Sequence, residues 1–552
     1  MPYTSSPNAT PSSLTPHDAT SFSLTPNDAT PFSLTPNDAA PFSLTSPDAA
    51  ENNWGFSTRQ VRAGYNPTEH NHAVSVPIYQ TTAYSLETAA RADAMFAFED
   101  EDPLYTRLSN PTVDVLERRV TALHKGAKAS IALASGMAAV SCALLNVAGQ
   151  GGHILTNYRL YGGTVDAFTN IYPELGIHMD VVSDADDILA YEHAITNNTK
   201  AIFVESITNP LVTVSDLEAL ANVAHKHGIP LIVDNTVATP YLLNPFKHGA
   251  DVVVYSATKA LSGHGNVIAG LVLESGNFNY NNGNFPQFTQ THWFLRDEND
   301  MPRNCLDLFP DAPFTGRLRA IHLNYLGAAL SPFDAYLILL GIETLEQRVT
   351  KQVENASTLA TWLHESPHAT WVAYPTLTEN RYKKLAQRYL TRGAGSIVSF
   401  GFGGTEEQKR RFLDNVKLFS YQANIGDARS LIINPAQTTH IELSNEARAE
   451  TGLTPETIRL SAGLEDVNDL IYDLQQAFAL ALGNSHAPDD TNALGKGEES
   501  SNTKTPGDAN AFSNGEVPDD PNALGSTNES NDTQTLYNAL NTNNSSKADV
   551  TV

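Results

Sequence analysis

Cysteine is scarce: the 552 residues hold two, Cys142 and Cys305. That is too few for a disulfide framework and lacks the paired spacing of a metal site, so no metal is expected. No run of about eighteen apolar residues occurs, which excludes a helix crossing a bilayer. Basic residues are outnumbered, 34 Lys and Arg against 61 Asp and Glu, for a formal net charge of -27. This balance disfavours nucleic acid and anionic membranes, whose phosphates need clustered Lys and Arg. The first residues show no basic stretch leading into an apolar run, so no secretory leader is expected. Unpaired thiols fit a reducing, cytoplasmic location.

Both ends lack the apolar residues needed to offset the entropy of ordering a chain. Residues 1–53 contain no Lys or Arg and carry a ten-residue repeat, SLTPHDATSF from Ser13, SLTPNDATPF from Ser23 and SLTPNDAAPF from Ser33, decaying at Ser43. A period this short, with proline in nearly every unit, is too small for a solenoid. Residues 484–552 are rich in Asn, Ser, Asp and Gly, with a looser echo in PDDTNALG and PDDPNALG. We expect two disordered tails: a repeat tail over 1–53 and an acidic one over 484–552.

What lies between alternates short apolar runs with helical patterns. AIFVE (201–205), IPLIVD (229–234) and DVVVYS (251–256) read as buried strands. The stretch 216–227 places Leu217, Leu220, Val223 and Ala224 on one helical face. Strands separated by helices imply βαβ units and a mainly parallel sheet covered on both faces. From about Leu326 the pattern changes. A long helical stretch, 328–363 with Pro332 interrupting it, precedes a strand at 397–402. The fold class expected is therefore α/β: a large mainly parallel-sheet domain over 54–325, with an N-terminal arm, and a smaller C-terminal α/β domain over 326–483.

In open parallel sheets, ligands gather beyond the carboxyl ends of the strands. Asp234 ends one such strand and Lys259 lies three residues past the next. A carboxylate and a lysine so placed are what a pyridoxal phosphate site needs. The carboxylate keeps the ring nitrogen protonated, and the amine, its pKa lowered, holds the aldehyde. Ser256 and Thr258 flank Lys259 closely enough to offer hydroxyls to a phosphate. Gly136 and Met137, after Ser135, open an alanine-rich helix whose backbone N–H groups can meet an anion. Tyr161 precedes two glycines at a turn and could stack on a ring. Taken singly, each has a bland reading: a turn Asp, a helix cap, a packed tyrosine.

Together these motifs carry a resemblance. SATK around Lys259, DNT at Asp234, YGGT from Tyr161, SGMAA from Ser135, YTRLSNPT from Tyr105 and IRLSAGLED from Ile458 resemble the cysteine/methionine-metabolism family of fold type I pyridoxal phosphate enzymes. The likeness spans roughly 56–482. Within that family the chain looks closest to the O-acetylhomoserine sulfhydrylase branch. The residues behind this are GAALSPFDAYLILLGIETLEQRV from Gly327, YLTRGAGSIVSFGFGG from Tyr389 and NIGDARSLIINPAQTTH from Asn424, with a long insertion between Leu273 and Gly327.

The resemblance implies roles. Lys259 holds the cofactor as a Schiff base and acts in catalysis with Tyr161, which stacks on the ring. Asp234 pairs with the ring nitrogen. Backbone at Gly136 and Met137, with Ser256 and Thr258, holds the phosphate. Tyr105 and Arg107 match a YxR pair given across a dimer interface to the neighbour's phosphate. Arg459 grips the substrate carboxylate, with Asn209 and Ser430 nearby. Two departures stand out: Ala260, Leu261 and Ser262 follow the lysine where an aromatic or β-branched residue and then small ones are expected, and Arg429 stands where lyase relatives often carry an acid.

The implied reaction is γ-replacement. The freed Lys259 amine takes the α-proton and helps move a β-proton, the γ-acyloxy group leaves, and a sulfur nucleophile adds. O-acetylhomoserine with sulfide would give homocysteine and acetate, and with methanethiol methionine, as in methionine biosynthesis and trans-sulfuration. A cystathionine γ-synthase or a methionine or cystathionine γ-lyase on the same scaffold is the alternative. The implied partners are an amino-acid substrate, a sulfur donor and further copies of the chain, as a homotetramer built as a dimer of active dimers.

Overall fold

A computed structural model describes residues 53–483, except 98, 101, 150, 298, 442–447 and 449. The expectations about the two tails lie outside the described residues. Seven strands form the main sheet: β1 (Ala129–Leu133), β2 (His153–Thr156), β3 (His178–Val181), β4 (Thr199–Glu205), β5 (Leu231–Asp234), β6 (Val252–Ser256) and β7 (Gly270–Glu274). Their order is β1-β7-β6-β5-β4-β2-β3. All pairs are parallel except those of β7, which runs antiparallel to both β1 and β6.

The apolar runs explain the central strands. Ile202, Val204, Leu231, Ile232, Val233, Val252, Val253 and Val254 are fully buried, as a sheet covered on both faces demands. Helices Gly136–Ala148 and Leu217–Lys226 are among those that cover it, the latter capped by the Asp216 side chain on the Ala219 N–H. One contact sets the β1–β7 edge. A Cβ on Gly270 would lie 2.0 Å from the Ser135 carbonyl oxygen, so only glycine lets β7 pass under the start of that helix.

The insertion carries a short hairpin, β8 (His292–Arg296) with β9 (Pro302–Arg303). A small apolar cluster of Leu295, Cys305, Leu308, Phe309 and Ala320 sits beneath it. Glu274, at the end of β7, fastens the insertion by accepting the N–H groups of Phe314 and Thr315 and the Thr315 hydroxyl.

A second sheet follows: β10 (Ala369–Ala373), β11 (Ile397–Phe402), β12 (Ser420–Tyr421), β13 (Leu431–Ile433) and β14 (Thr457–Ser461), ordered β10-β11-β14-β13-β12. It is antiparallel apart from the β12–β13 pair. The expected fold class holds: a large mainly parallel sheet with helices, then a smaller sheet with helices. The long helical stretch differs in detail. Pro332 starts a helix, Pro332–Ile342, instead of interrupting one, and the break falls at Glu343–Thr344 before Leu345–Glu365. Proline suits a first helical position, whose N–H has no intrahelical acceptor. Among the described residues no helix is long and apolar enough to cross a membrane.

Candidate active site

The carboxyl ends of β4, β5 and β6 open into one cavity. Ser135, Gly136, Met137, Tyr161, Asn209, Asp234, Ser256, Thr258, Lys259 and Arg459 all line it. Apart from Ser135, the sequence or the resemblance placed each of these at a ligand, and the fold gathers them from six separate segments.

At one end stands the start of helix Gly136–Ala148. The Ser135 hydroxyl accepts the Ala138 N–H at 3.0 Å, while the N–H groups of the first turn have no intrahelical acceptor. Packing is tight: a Cβ on Gly136 would sit 2.6 Å from the Ser256 Cβ. Backbone N–H groups and the Ser256 hydroxyl thus share one small cradle suited to an anion. The Thr258 hydroxyl also exchanges hydrogen bonds with the Ala269 backbone, at 3.0 and 3.2 Å.

At the other end lie two buried carboxyls. Asp234 accepts the Thr236 N–H at 2.9 Å and faces Glu205 as its Cα partner across β4 and β5. Burial raises both carboxyls above the ordinary range, Glu205 further because Asp234 is its neighbour. Among the described residues neither forms an ion pair. A buried carboxylate without a cation is costly, and a protonated ring nitrogen offsets that cost.

Between the two ends, the Lys259 amine donates to the Asn424 Oδ1 at 2.8 Å. Burial, and secondly the charge of Arg459, lower its pKa to about 8. Arg459 is 3% exposed; it donates to the Asn209 Oδ1 at 2.8 Å and the Asn424 carbonyl at 3.0 Å, and among the described residues its buried Nε has no partner. An amine, an anion cradle, an uncompensated carboxyl and a planar cation fit pyridoxal phosphate with an amino acid beside it.

Three predicted residues lie elsewhere. Ser430 is buried and does not line the cavity; its hydroxyl donates to Glu465 and accepts the Gly463 N–H, both at 2.8 Å. Tyr105 and Arg107 are on the surface, Arg107 over the Tyr105 ring and 3.5 Å from Asn324. Asn424, Glu205 and Thr439 join the cavity unannounced. Glu205 ends a strand just as Asp234 does, so the same rule could have found it. Arg429, the departure noted above, is tied to Asp427 and to the His264 carbonyl.

Comparison with known proteins agrees with this geometry. A family model described as Cys/Met metabolism PLP-dependent enzyme matches residues 57–479. Sulfhydrylase FUB7 of Gibberella moniliformis is 40% identical over 431 residues, 78% of this chain and 98% of that protein. O-acetyl-L-homoserine sulfhydrylase 1 of Thermus thermophilus is 41% identical over 428 residues, 77% of this chain and 100% of that one. A Campylobacter jejuni crystal structure, of a chain assigned as an O-acetylhomoserine (thiol)-lyase, superposes with a TM-score of 0.73 at 40% identity, covering 77% of this chain and all of that one. That structure carries a pyridoxyl-lysine monophosphate. With the family model spanning nearly every described residue, this chain belongs to the Cys/Met metabolism family of pyridoxal phosphate-dependent enzymes.

Proposed function

We propose that the chain catalyses γ-replacement on O-acetylhomoserine by sulfide, giving homocysteine and acetate for methionine biosynthesis. The carrying observation is the convergence of Lys259, Asp234 and Arg459 on one cavity. Pyridoxal phosphate, when bound, supplies a protonated ring that accepts the electron pair released beside the substrate amine.

The chain's own residues do the rest. Asp234 holds the ring nitrogen's proton. The first turn of helix Gly136–Ala148, Ser256 and Thr258 bind the phosphate, and Tyr161 covers the ring. Arg459, held by Asn209, grips the α-carboxylate through a planar donor pair. The Lys259 amine takes the proton from the substrate's α-carbon, then helps move one from the β-carbon. The C–O bond at the γ-carbon breaks, acetate leaves with the bonding pair, hydrosulfide adds at that carbon, and the two protons return, one to the β-carbon and one to the α-carbon.

Charge favours sulfide over cysteine as donor. Among the described residues Lys259 and Arg459 are the cations lining the cavity, and both have tasks. Cysteine would bring a second carboxylate with no cation left for it. The same cradle has no cation for the phosphate, while Tyr105 is 38% exposed and Arg107 beside it is free of ion pairs among the described residues. We assign that pair to the site of a second copy, so the active unit is at least a dimer. Two buried free thiols, Cys142 and Cys305, support a cytoplasmic place.

A steady-state assay of purified enzyme with O-acetyl- and O-succinylhomoserine, each offered sulfide and cysteine, tests the reading. The highest kcat/KM is expected for the acetyl ester with sulfide. Faster cystathionine formation from the succinyl ester and cysteine would overturn it. The lowered pKa of Lys259 gives a second expectation. Only the neutral amine attacks an aldehyde, so reloading of stripped protein with pyridoxal phosphate should quicken as pH rises and level off above about 8. A rate still climbing toward the ordinary lysine range near 10.5 would contradict it.

A further inference from the structure

Glu205 belongs to none of the roles above, yet it touches three of them. It ends β4, is 6% exposed, and lies in register beside Asp234. Its Oε1 accepts the Tyr161 backbone N–H at 2.5 Å, and its Oε2 accepts the Asn209 backbone N–H at 3.1 Å. Tyr161 starts the turn proposed to cover the ring; Asn209 holds Arg459 through its own side chain.

We propose that Glu205 is a positioning residue of this active site: its two oxygens lock the Tyr161 turn and the Asn209–Arg459 pair to the same strand end that carries Asp234. This deepens the function proposed above and rests on its assignment of Tyr161 and Arg459.

The local structure explains why such a clamp is needed. Tyr161 is 44% exposed, so lateral packing does little to fix its ring. Its turn begins the short helix Gly162–Asp166 with no side-chain cap. On the far side, Gly162 lies against the Thr439 carbonyl, 2.4 Å from where its Cβ would be. The Glu205 bond therefore sets the height of this turn over the cavity from below. Asn209 is buried, and its amide oxygen is what directs one Arg459 nitrogen. A carboxyl group offers two acceptors about 2.2 Å apart and can take both N–H groups at once. A carboxamide cannot: one oxygen would be replaced by an NH2 group facing a backbone N–H.

The test compares Glu205→Gln and Glu205→Asp with wild type in the pyridoxal phosphate-loaded, full-length enzyme. Three quantities are read: KM and kcat for O-acetylhomoserine with sulfide, the dissociation constant of the cofactor, and the melting temperature. Leaving a buried N–H unpaired, Glu205→Gln should raise both KM and the cofactor dissociation constant about 10- to 100-fold. Glu205→Asp keeps two acceptors on a shorter stem and should fall between.

Values of both constants within about twofold of wild type in Glu205→Gln, or a fall in kcat alone, would overturn the proposal. Should Glu205→Gln fail to fold, Glu205→Asp decides on the same two constants: raised values support the clamp and wild-type values refute it. If wild type binds the cofactor but does not convert O-acetylhomoserine, the proposed function fails, and the cofactor constant still decides for or against Glu205.

Discussion

Replacing Lys259 with alanine is expected to lower homocysteine formation by at least about 10³-fold, since one side chain serves as anchor and as proton carrier. Two features of its surroundings support that dual role. Burial and Arg459 depress its pKa to about 8, so far more of the amine is neutral near physiological pH than in an ordinary lysine, and that share is able to take a proton. The bond to Asn424 Oδ1 gives the free amine a partner within the cavity. Folding should survive, because the methylene stem borders a cavity and the neighbouring strands keep their registers. The check is single-turnover kinetics with the loaded variant and its melting temperature. Homocysteine formed at the normal rate would refute the assignment of Lys259.

Arg459 should give the second-largest effect, of a different kind. Substituting lysine is expected to raise KM for O-acetylhomoserine about 100-fold while kcat changes less, because a charge-assisted pair of bonds to the carboxylate is lost. Lysine keeps the charge but cannot donate at once to Asn209 Oδ1, to the Asn424 carbonyl and to a carboxylate in one plane. Guanidinium geometry is the point at issue, and the unpartnered Nε is the donor left for that carboxylate. A lysine variant with wild-type KM would place substrate recognition elsewhere. In the wild-type enzyme this grip on the carboxylate should not titrate between about pH 6 and 8: burial lowers the pKa of Arg459 only to about 10, so the group stays charged throughout.

Much of this site could be read from the chain, for one physical reason. A buried parallel strand needs a continuous apolar run, so its end is visible as the first polar residue after that run. Asp234 after LIV and Ser256 after VVVY follow directly, with Lys259 on the loop beyond. Glu205 after AIFV met the same criterion but drew no attention, because a lone carboxylate is as easily a cap. Asn424 lay inside a stretch that resembled relatives, yet nothing local signals that its amide meets Lys259; that contact depends on how two distant segments pack. Ser430 shows a different limit. Its neighbourhood in sequence is that of the site, but the turn through Gly463 and Glu465 claims its hydroxyl.

The antiparallel place of β7 was also hidden. Strand direction depends on how distant segments pack, as does the close approach of Gly270 to the Ser135 carbonyl, and no periodicity encodes either. The insertion's hairpin was invisible for a simpler cause: β9 has two residues, too few for any alternation to register.

The paired carboxyls at the ends of β4 and β5 have a consequence beyond chemistry. Stripped of its pyridine, the protein must either hold like charges against one another in a dry setting or draw protons from solvent to silence them. If the ring nitrogen pairs with Asp234 as proposed, occupancy relieves that repulsion: the vitamin-derived ring then acts as the missing counter-ion of the sheet, and loading it adds to the stability of the fold.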